Sequence, residues 1–233
     1  MTTFGFIGTG HMGCMLVKKF VETGAIGAEE ILASNRTPEK LEQLAESTGI
    51  RPAGNRLVAK LSDVIFICVR PLEVRDVLSS VAYLLTSQKL VVSIASDFSL
   101  ENMRTLCPAR LARAFPSMAS LKLQGATLLA FGDNTTAEDR RLITGLFRAI
   151  GQAVVVEERD FGTLADLTSS APGYFAALMR EFVLAAKRRD IPSDLAERLV
   201  KQTLLGTALL LGEESFAGLI ESVATREESQ RRV

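Results

Sequence analysis

The sequence predicts an α/β fold, a Rossmann-type doubly wound and mainly parallel sheet, followed by a small all-α dimerisation domain. Three observations carry that expectation. Short runs of strand formers alternate with helical patterns from the N-terminus onward. Several of those runs, residues 64–69 above all, are continuously apolar, as strands covered on both faces are. Beyond Glu157 strand signals vanish, and Ala and Leu recur at three-to-four-residue spacing. The change in composition divides the chain into a domain of residues 1–158 and a helical one of 159–233.

The first element is an apolar run ending at Ile7, and glycines follow at Gly8, Gly10 and Gly13. Met15, Leu16, Val17, Phe20 and Val21 then recur at helical spacing. Strand, glycine turn and helix in that order make the setting a dinucleotide fingerprint requires. Gly8 suits the tight turn, Gly10 the approach of a pyrophosphate, and Gly13 close packing of helix on strand. Thr9, His11 and Met12 complete the turn, and the helix N-terminus offers unpaired N–H groups to phosphate. His11 is the only histidine, and its place in the turn suits packing or phosphate contact.

Ile31, Leu32, Ala33 and Ser34 form the second strand, with Thr37 as N-cap and Pro38 at the first position of the next helix. A dinucleotide's adenosine ribose is read at the end of such a strand. Ser34, Asn35 and Arg36 stand there, with no carboxylate before Glu39. A guanidinium forks onto phosphate, so NADP is expected over NAD. Further strands are expected at residues 64–69, 90–95, 110–114 and 127–131, a helix at about 136–150, and a closing strand at 153–156. Loops facing the cofactor then start at Gly8, Ser34, Val69, Ala95 and Phe115. In the helical part Pro172 and Gly173 interrupt one helix, and residues 191–193 separate it from the next. About 75 residues of helix make a small independent core, so the apolar face is expected to meet a second copy in a homodimer.

Lys plus Arg and Asp plus Glu number 27 each, so no net charge favours nucleic acid or an anionic membrane. The three cysteines lack metal-ligand spacing and suit a reducing compartment, and no metal site is expected. With no signal-peptide pattern and no membrane-length apolar run, the cytoplasm is the expected location.

The motifs together resemble pyrroline-5-carboxylate reductase. They are Gly8-Thr9-Gly10-His11-Met12-Gly13, Ser34-Asn35-Arg36-Thr37-Pro38, Val69-Arg70-Pro71, Ser93-Ile94-Ala95 and Arg113-Ala114-Phe115-Pro116-Ser117. In the helical part, Thr168-Ser169-Ser170-Ala171-Pro172-Gly173-Tyr174 is similar to the family's S-G-S-G-P-A-Y segment, and the run 201–208 to its Q-T-x-x-G-x-A helix. The resemblance implies a Rossmann domain and an interlocking helical domain. It also implies hydride transfer from NADPH (or NADH) to the C=N bond of a cyclic imine carboxylate. Val69, Arg70, Pro71, Ala95, Phe115 and Pro116 then belong to the cofactor site. Ser170 and Tyr174 become candidate catalytic residues toward substrate. The other readings are packing at a subunit interface for Tyr174 and capping of freed backbone groups for Ser170.

Three departures bear on function. The family's R-A-M-P-N-T reads Arg113-Ala114-Phe115-Pro116-Ser117-Met118, which removes an amide and a hydroxyl. Ser169 and Ala171 replace glycines. The S-P-G-G-T-T loop that grips the substrate carboxylate has no counterpart in residues 224–230, where Glu227 and Glu228 stand instead. Two alternatives follow: an NADP-binding paralogue with weakened catalysis and a regulatory role, as in competence-associated relatives, and a deazaflavin-dependent NADP reductase. Hydroxyacid oxidation is disfavoured, because Ala176, Ala177 and Leu178 occupy the positions where a catalytic lysine belongs and Lys187 lies well past them.

Overall fold

The computed structural model describes residues 2–224. The chain begins with β1 (Phe4–Ile7), α1 (His11–Glu22), β2 (Ile31–Ser34) and α2 (Pro38–Thr48). The next elements are β3 (Arg51–Pro52), α3 (Asn55–Leu61), β4 (Val64–Ile67) and α4 (Pro71–Val81). They are followed by β5 (Leu90–Ser93), α5 (Leu100–Arg104), β6 (Arg110–Phe115), β7 (Gly125–Phe131), α6 (Ala137–Arg148) and β8 (Gly151–Val155). Among the described residues only helices come after these: α7 (Phe161–Thr168), α8 (Ala171–Lys187), α9 (Ser193–Leu210) and α10 (Phe216–Val223).

The eight strands form one sheet in the order β3-β2-β1-β4-β5-β6-β7-β8. All neighbours run parallel except β6 and β7, which pair antiparallel from Ala112↔Phe131 to Phe115↔Leu128. A 3-10 turn at Met118–Lys122, too short to carry the chain across a face, makes that reversal. β1, β2, β4 and β5 are buried at every position, which explains their unbroken apolar runs.

Alternation along the strands feeds two cores. Phe6 and Phe66 point to one face, where their rings stack 4.7 Å apart, and Phe20 of α1 and Phe147 of α6 close around them. Ile7, Ile65 and Ile67 point to the other face, against Val74 and Leu78 of α4. Each such fully buried side chain stabilises the fold by about 1.5–3 kcal/mol.

Several local expectations are refined. The fourth strand stops at Ile67, because Cys68 and Val69 already turn toward Pro71 at the first position of α4. Thr37 stands at the N-cap of α2, but its side chain makes no cap bond; Asn35 Oδ1 accepts from the Thr37 N–H instead at 3.1 Å. Pro172 does not interrupt a helix. It lies in the first turn of α8, where an N–H has no intrahelical partner to lose. β3, α3, α4 and α5 lie in stretches not assigned individually from the sequence.

The chain divides by contacts into two compact units, Met1–Pro172 and Gly173–Val233. The first therefore extends beyond the composition change at 158, because α7 packs on β7 and buries Phe161 in the second core. In the second unit many large apolar side chains are exposed, among them Phe175, Leu178, Phe182, Leu205 and Phe216. No helix among the described residues is long and apolar enough to cross a membrane.

Candidate functional site

The strand order reverses between β1 and β4, so their carboxyl ends open a crevice in the first unit. Gly8 makes the turn out of β1 at φ +95°, a backbone state that a side chain strains. A Cβ there would also meet Val69 Cγ1 at 2.7 Å and the Cys68 carbonyl oxygen at 2.9 Å. Gly13 brings α1 onto this turn, since its Cβ would stand 2.2 Å from the Gly8 carbonyl oxygen. Gly10 differs from both. It is the N-cap of α1, and a Cβ there meets nothing within 4 Å, so the space above it is open.

The turn is tied to the end of β2. The Gly8 and Thr9 N–H groups both donate to the Ser34 carbonyl, at 3.0 and 3.2 Å. Asn35 Nδ2 donates to the Thr9 carbonyl at 2.8 Å and to Thr9 Oγ1 at 3.0 Å. The first turn of α1 carries no acidic residue, and Gly10 provides no side-chain cap. Its N–H groups and the positive end of its dipole are thus directed at the open space, as an anion site requires. Gly8, Thr9, Gly13, Ser34 and Asn35 build the floor of this cradle, and Gly10, His11 and Met12 line its opening.

Beyond the turn lies an open cleft of about 370 Å³. Val69, Arg70 and Pro71 line it from the end of β4, Ala95 from the end of β5, and Phe115 and Pro116 from the end of β6. Cys68, Ile94, Ser96 and Ser169 line it too; none was named a site residue from the sequence, although Ile94 and Ser169 stand within the motifs that resemble the family's. Ser96 simply follows Ala95 in the loop. Ser169 reaches the cleft by a fold-level contact, its Oγ donating to the Pro116 carbonyl at 3.2 Å. Burial pushes the Cys68 thiol up, so it stays protonated in the floor.

Arg36, exposed at the end of β2, lies with Nη1 2.6 Å from Oε1 of Glu73 on α4. Arg70 meets the same oxygen through Nη2 at 2.8 Å. Glu73 Oε2 also accepts from the Arg70 backbone N–H and from its Nε, both at 3.3 Å. Hydrogen bonding to Arg70 and the charge of Arg36 hold the Glu73 carboxyl down to about 2.

At the far wall, Arg113 of β6 is 5% exposed. Its Nη1 pairs with Glu158 Oε1 at 2.7 Å, and Nη2 donates to the Ala95 carbonyl at 2.9 Å and to the Ser96 carbonyl. The guanidinium lies 4.9 Å from the ring of Phe161. Glu158 Oε1 also accepts from the Leu100 N–H at 2.8 Å, at the start of α5. This ion pair between a buried guanidinium and a half-buried carboxylate thus fastens the Ala95–Ser96 segment of the cleft wall to β6 and to the chain before α7. No local pattern marks Arg113 for this, because its partners lie far away in sequence.

The other candidates are placed as follows. Ser170 is half-buried at the end of the first unit, its N–H bonded to the Ala165 carbonyl at 3.0 Å. Tyr174 belongs to the second unit and is exposed on α8. Ser117, in the place of the family's asparagine, accepts from the Ala119 N–H at 3.3 Å and donates to the Thr168 carbonyl at 3.4 Å. Residues 225–230 of the unmatched carboxylate loop lie outside the described residues.

A glycine cradle at the switch point of a doubly wound sheet, with a helical segment after it, defines the class: an α/β nucleotide-binding oxidoreductase fold. Residues 3–97 match the family model described as NADP oxidoreductase coenzyme F420-dependent, and residues 158–227 the one described as pyrroline-5-carboxylate reductase dimerisation. A pyrroline-5-carboxylate reductase of Methanosarcina acetivorans is 31% identical over 207 residues, covering 88% of this chain and 77% of that protein. The chain belongs to the pyrroline-5-carboxylate reductase family. ComE operon protein 4 of Bacillus subtilis is 28% identical over 216 residues, 91% of this chain and 79% of that protein. Among solved structures, a pyrroline-5-carboxylate reductase from Coxiella burnetii superposes with a TM-score of 0.90 at 26% identity, covering 99% of this chain and 88% of that one.

Proposed function

We propose that this chain is an NADP-dependent reductase that transfers hydride from NADPH to the C=N bond of a cyclic imine carboxylate, pyrroline-5-carboxylate or a similar small molecule. The observation that carries the reading is the open cradle over Gly10 with a guanidinium, Arg36, at the end of β2. The α1 N-terminus receives the pyrophosphate, and Arg36 the 2′-phosphate. Ile94, Ala95, Phe115 and Pro116 offer a mostly apolar wall to the nicotinamide. When bound, the cofactor supplies the hydride. An iminium already carries positive charge, so holding it about 3–3.5 Å from the donor carbon is most of what the protein must do. Ser170 and Tyr174 are assigned to the substrate side. The match to a dimerisation model and the exposed apolar residues of the second unit support a homodimer through the C-terminal helices. The free thiols of Cys14, Cys68 and Cys107 suit the cytoplasm, where we place it.

Arg36→Glu is expected to weaken NADPH binding at least about thirtyfold while leaving NADH within about threefold, because a carboxylate repels the 2′-phosphate. Equal losses for both nucleotides would refute the assignment of Arg36. The overall test follows NADPH oxidation by absorbance with millimolar pyrroline-5-carboxylate, beside a titration of nucleotide binding. Turnover is the expected result. Tight binding without turnover favours the second reading, a nucleotide-binding paralogue with a regulatory role. That reading has its own support: the Ser117 side chain is engaged with Ala119 and Thr168 and offers no amide to the cleft. A deazaflavin in place of the imine tests the third, which the description of the N-terminal family model also names.

A further inference from the structure

Three charged side chains converge at the adenosine side of the crevice, one from the end of β2 and two from the start of α4. Arg36 follows β2, Arg70 precedes α4, and Glu73 stands in the first turn of α4. The two guanidiniums share a single carboxylate oxygen, Glu73 Oε1, at 2.6 and 2.8 Å. Arg36 and Arg70 are 79% and 76% exposed, whereas Glu73 is 23% exposed. The carboxylate is therefore the fixed member of the group. Its second oxygen is held by the Arg70 backbone N–H, as the N3 member of a capping arrangement at the start of α4. Arg36, by contrast, is anchored in this cluster only through its contact with Glu73 Oε1.

We propose that Glu73 is a specificity-determining residue, an internal carboxylate that competes with the cofactor's 2′-phosphate for Arg36 and so damps the preference for NADPH over NADH. The proposal rests on the reading of Arg36 as the 2′-phosphate's partner. A phosphate that takes Arg36 by its fork must break or share the contact with Oε1, and the carboxylate stays where its helix holds it. Two anions on one guanidinium lie roughly 5–6 Å apart and repel, which at water-like dielectric lowers affinity about tenfold for a doubly charged phosphate. NADH carries no 2′-phosphate and escapes this penalty. Because Arg70 and Arg36 keep the carboxyl ionised down to about pH 2, the competition persists throughout the physiological range. Arg36 by itself reads as an NADP signature. With Glu73 beside it, the site discriminates less sharply than that residue alone would imply.

The test is Glu73→Gln in the full-length chain, with dissociation constants for NADPH and NADH measured by fluorescence titration at low salt. Glutamine keeps an oxygen acceptor for the Arg70 N–H, so α4 retains its start. The affinity ratio of NADPH to NADH is expected to rise about tenfold at low salt, with NADH unchanged within twofold. 2′,5′-ADP against 5′-AMP, which lack the nicotinamide, should show the same rise. An unchanged ratio would overturn the proposal. So would a fall, which would mean that Glu73 presents Arg36 to the phosphate rather than withholding it. Absence of nucleotide binding by the unaltered protein would instead remove the nucleotide reading itself, a separate and recognisable failure.

Discussion

Gly10→Val is expected to lower NADPH affinity at least about a hundredfold, a loss of about 2.7 kcal/mol of binding free energy, while the protein stays folded. The argument lies in the contrast among the three glycines. A side chain at Gly8 or Gly13 collides with this protein's own backbone, at 2.9 Å for the Cys68 oxygen and 2.2 Å for the Gly8 oxygen. At Gly10 it collides with nothing, and the residue's φ of −73° is outside the left-handed region that reserves a position for glycine. The isopropyl group therefore fills only the space that a phosphate would use. Its cost to folding is that of a poorer N-cap, about 1 kcal/mol at most. Thermal unfolding and a nucleotide titration on the same sample separate the two effects. Binding retained within tenfold would mean that no phosphate approaches Gly10, and the cradle would lose its assigned role.

Arg113→Met should be the most destabilising change at the cleft. Methionine fills much of the volume but leaves the Glu158 carboxylate without its cation and the Ala95 and Ser96 carbonyls without their shared donor. Arg113 is buried and Glu158 half-buried, so removing the cation costs about 3 kcal/mol, the lower end of what breaking a buried pair costs. For a chain of this size that lowers the unfolding temperature by about 6–12 °C, measured at fixed protein concentration because assembly shifts the transition. Arg113→Lys keeps a charge but cannot span Glu158 and two carbonyls at once, so it should recover part of the loss. A shift below about 2 °C for Arg113→Met would show that the network contributes little and that packing of Phe161 alone holds the wall. The surface pairs offer a contrast: Lys201 with Glu197, or Arg104 with Asp133, are exposed and contribute little.

How far the chain could be read without coordinates depended on the range of the interaction concerned. β1, β2 and the start of α2 follow from neighbouring residues. An apolar run, three glycines and Pro38 suffice, because turn geometry and helix starts are decided within a few residues. The tight turn at Gly8 and the close packing at Gly13 were legible for the same reason. Burial on both faces also writes itself into the sequence as the continuous apolar run of β4. The reach of the first unit to Pro172 was not legible, since the composition of α7 resembles that of the later helices and only its contact with β7 assigns it.

The sequence by itself determined the class of fold, the glycine cradle and the family, because each is carried by local pattern and motif order. The tertiary structure alone decided three things. It reversed β7 against β6, joined Arg113 to Glu158 and to the Ala95 and Ser96 carbonyls, and set Glu73 against Arg36. Each of those depends on residues distant in the chain, brought together by the order of strands in the sheet. A charge whose partner lies on a distant element finds it only once the chain has folded, and no spacing in the sequence reveals that partner.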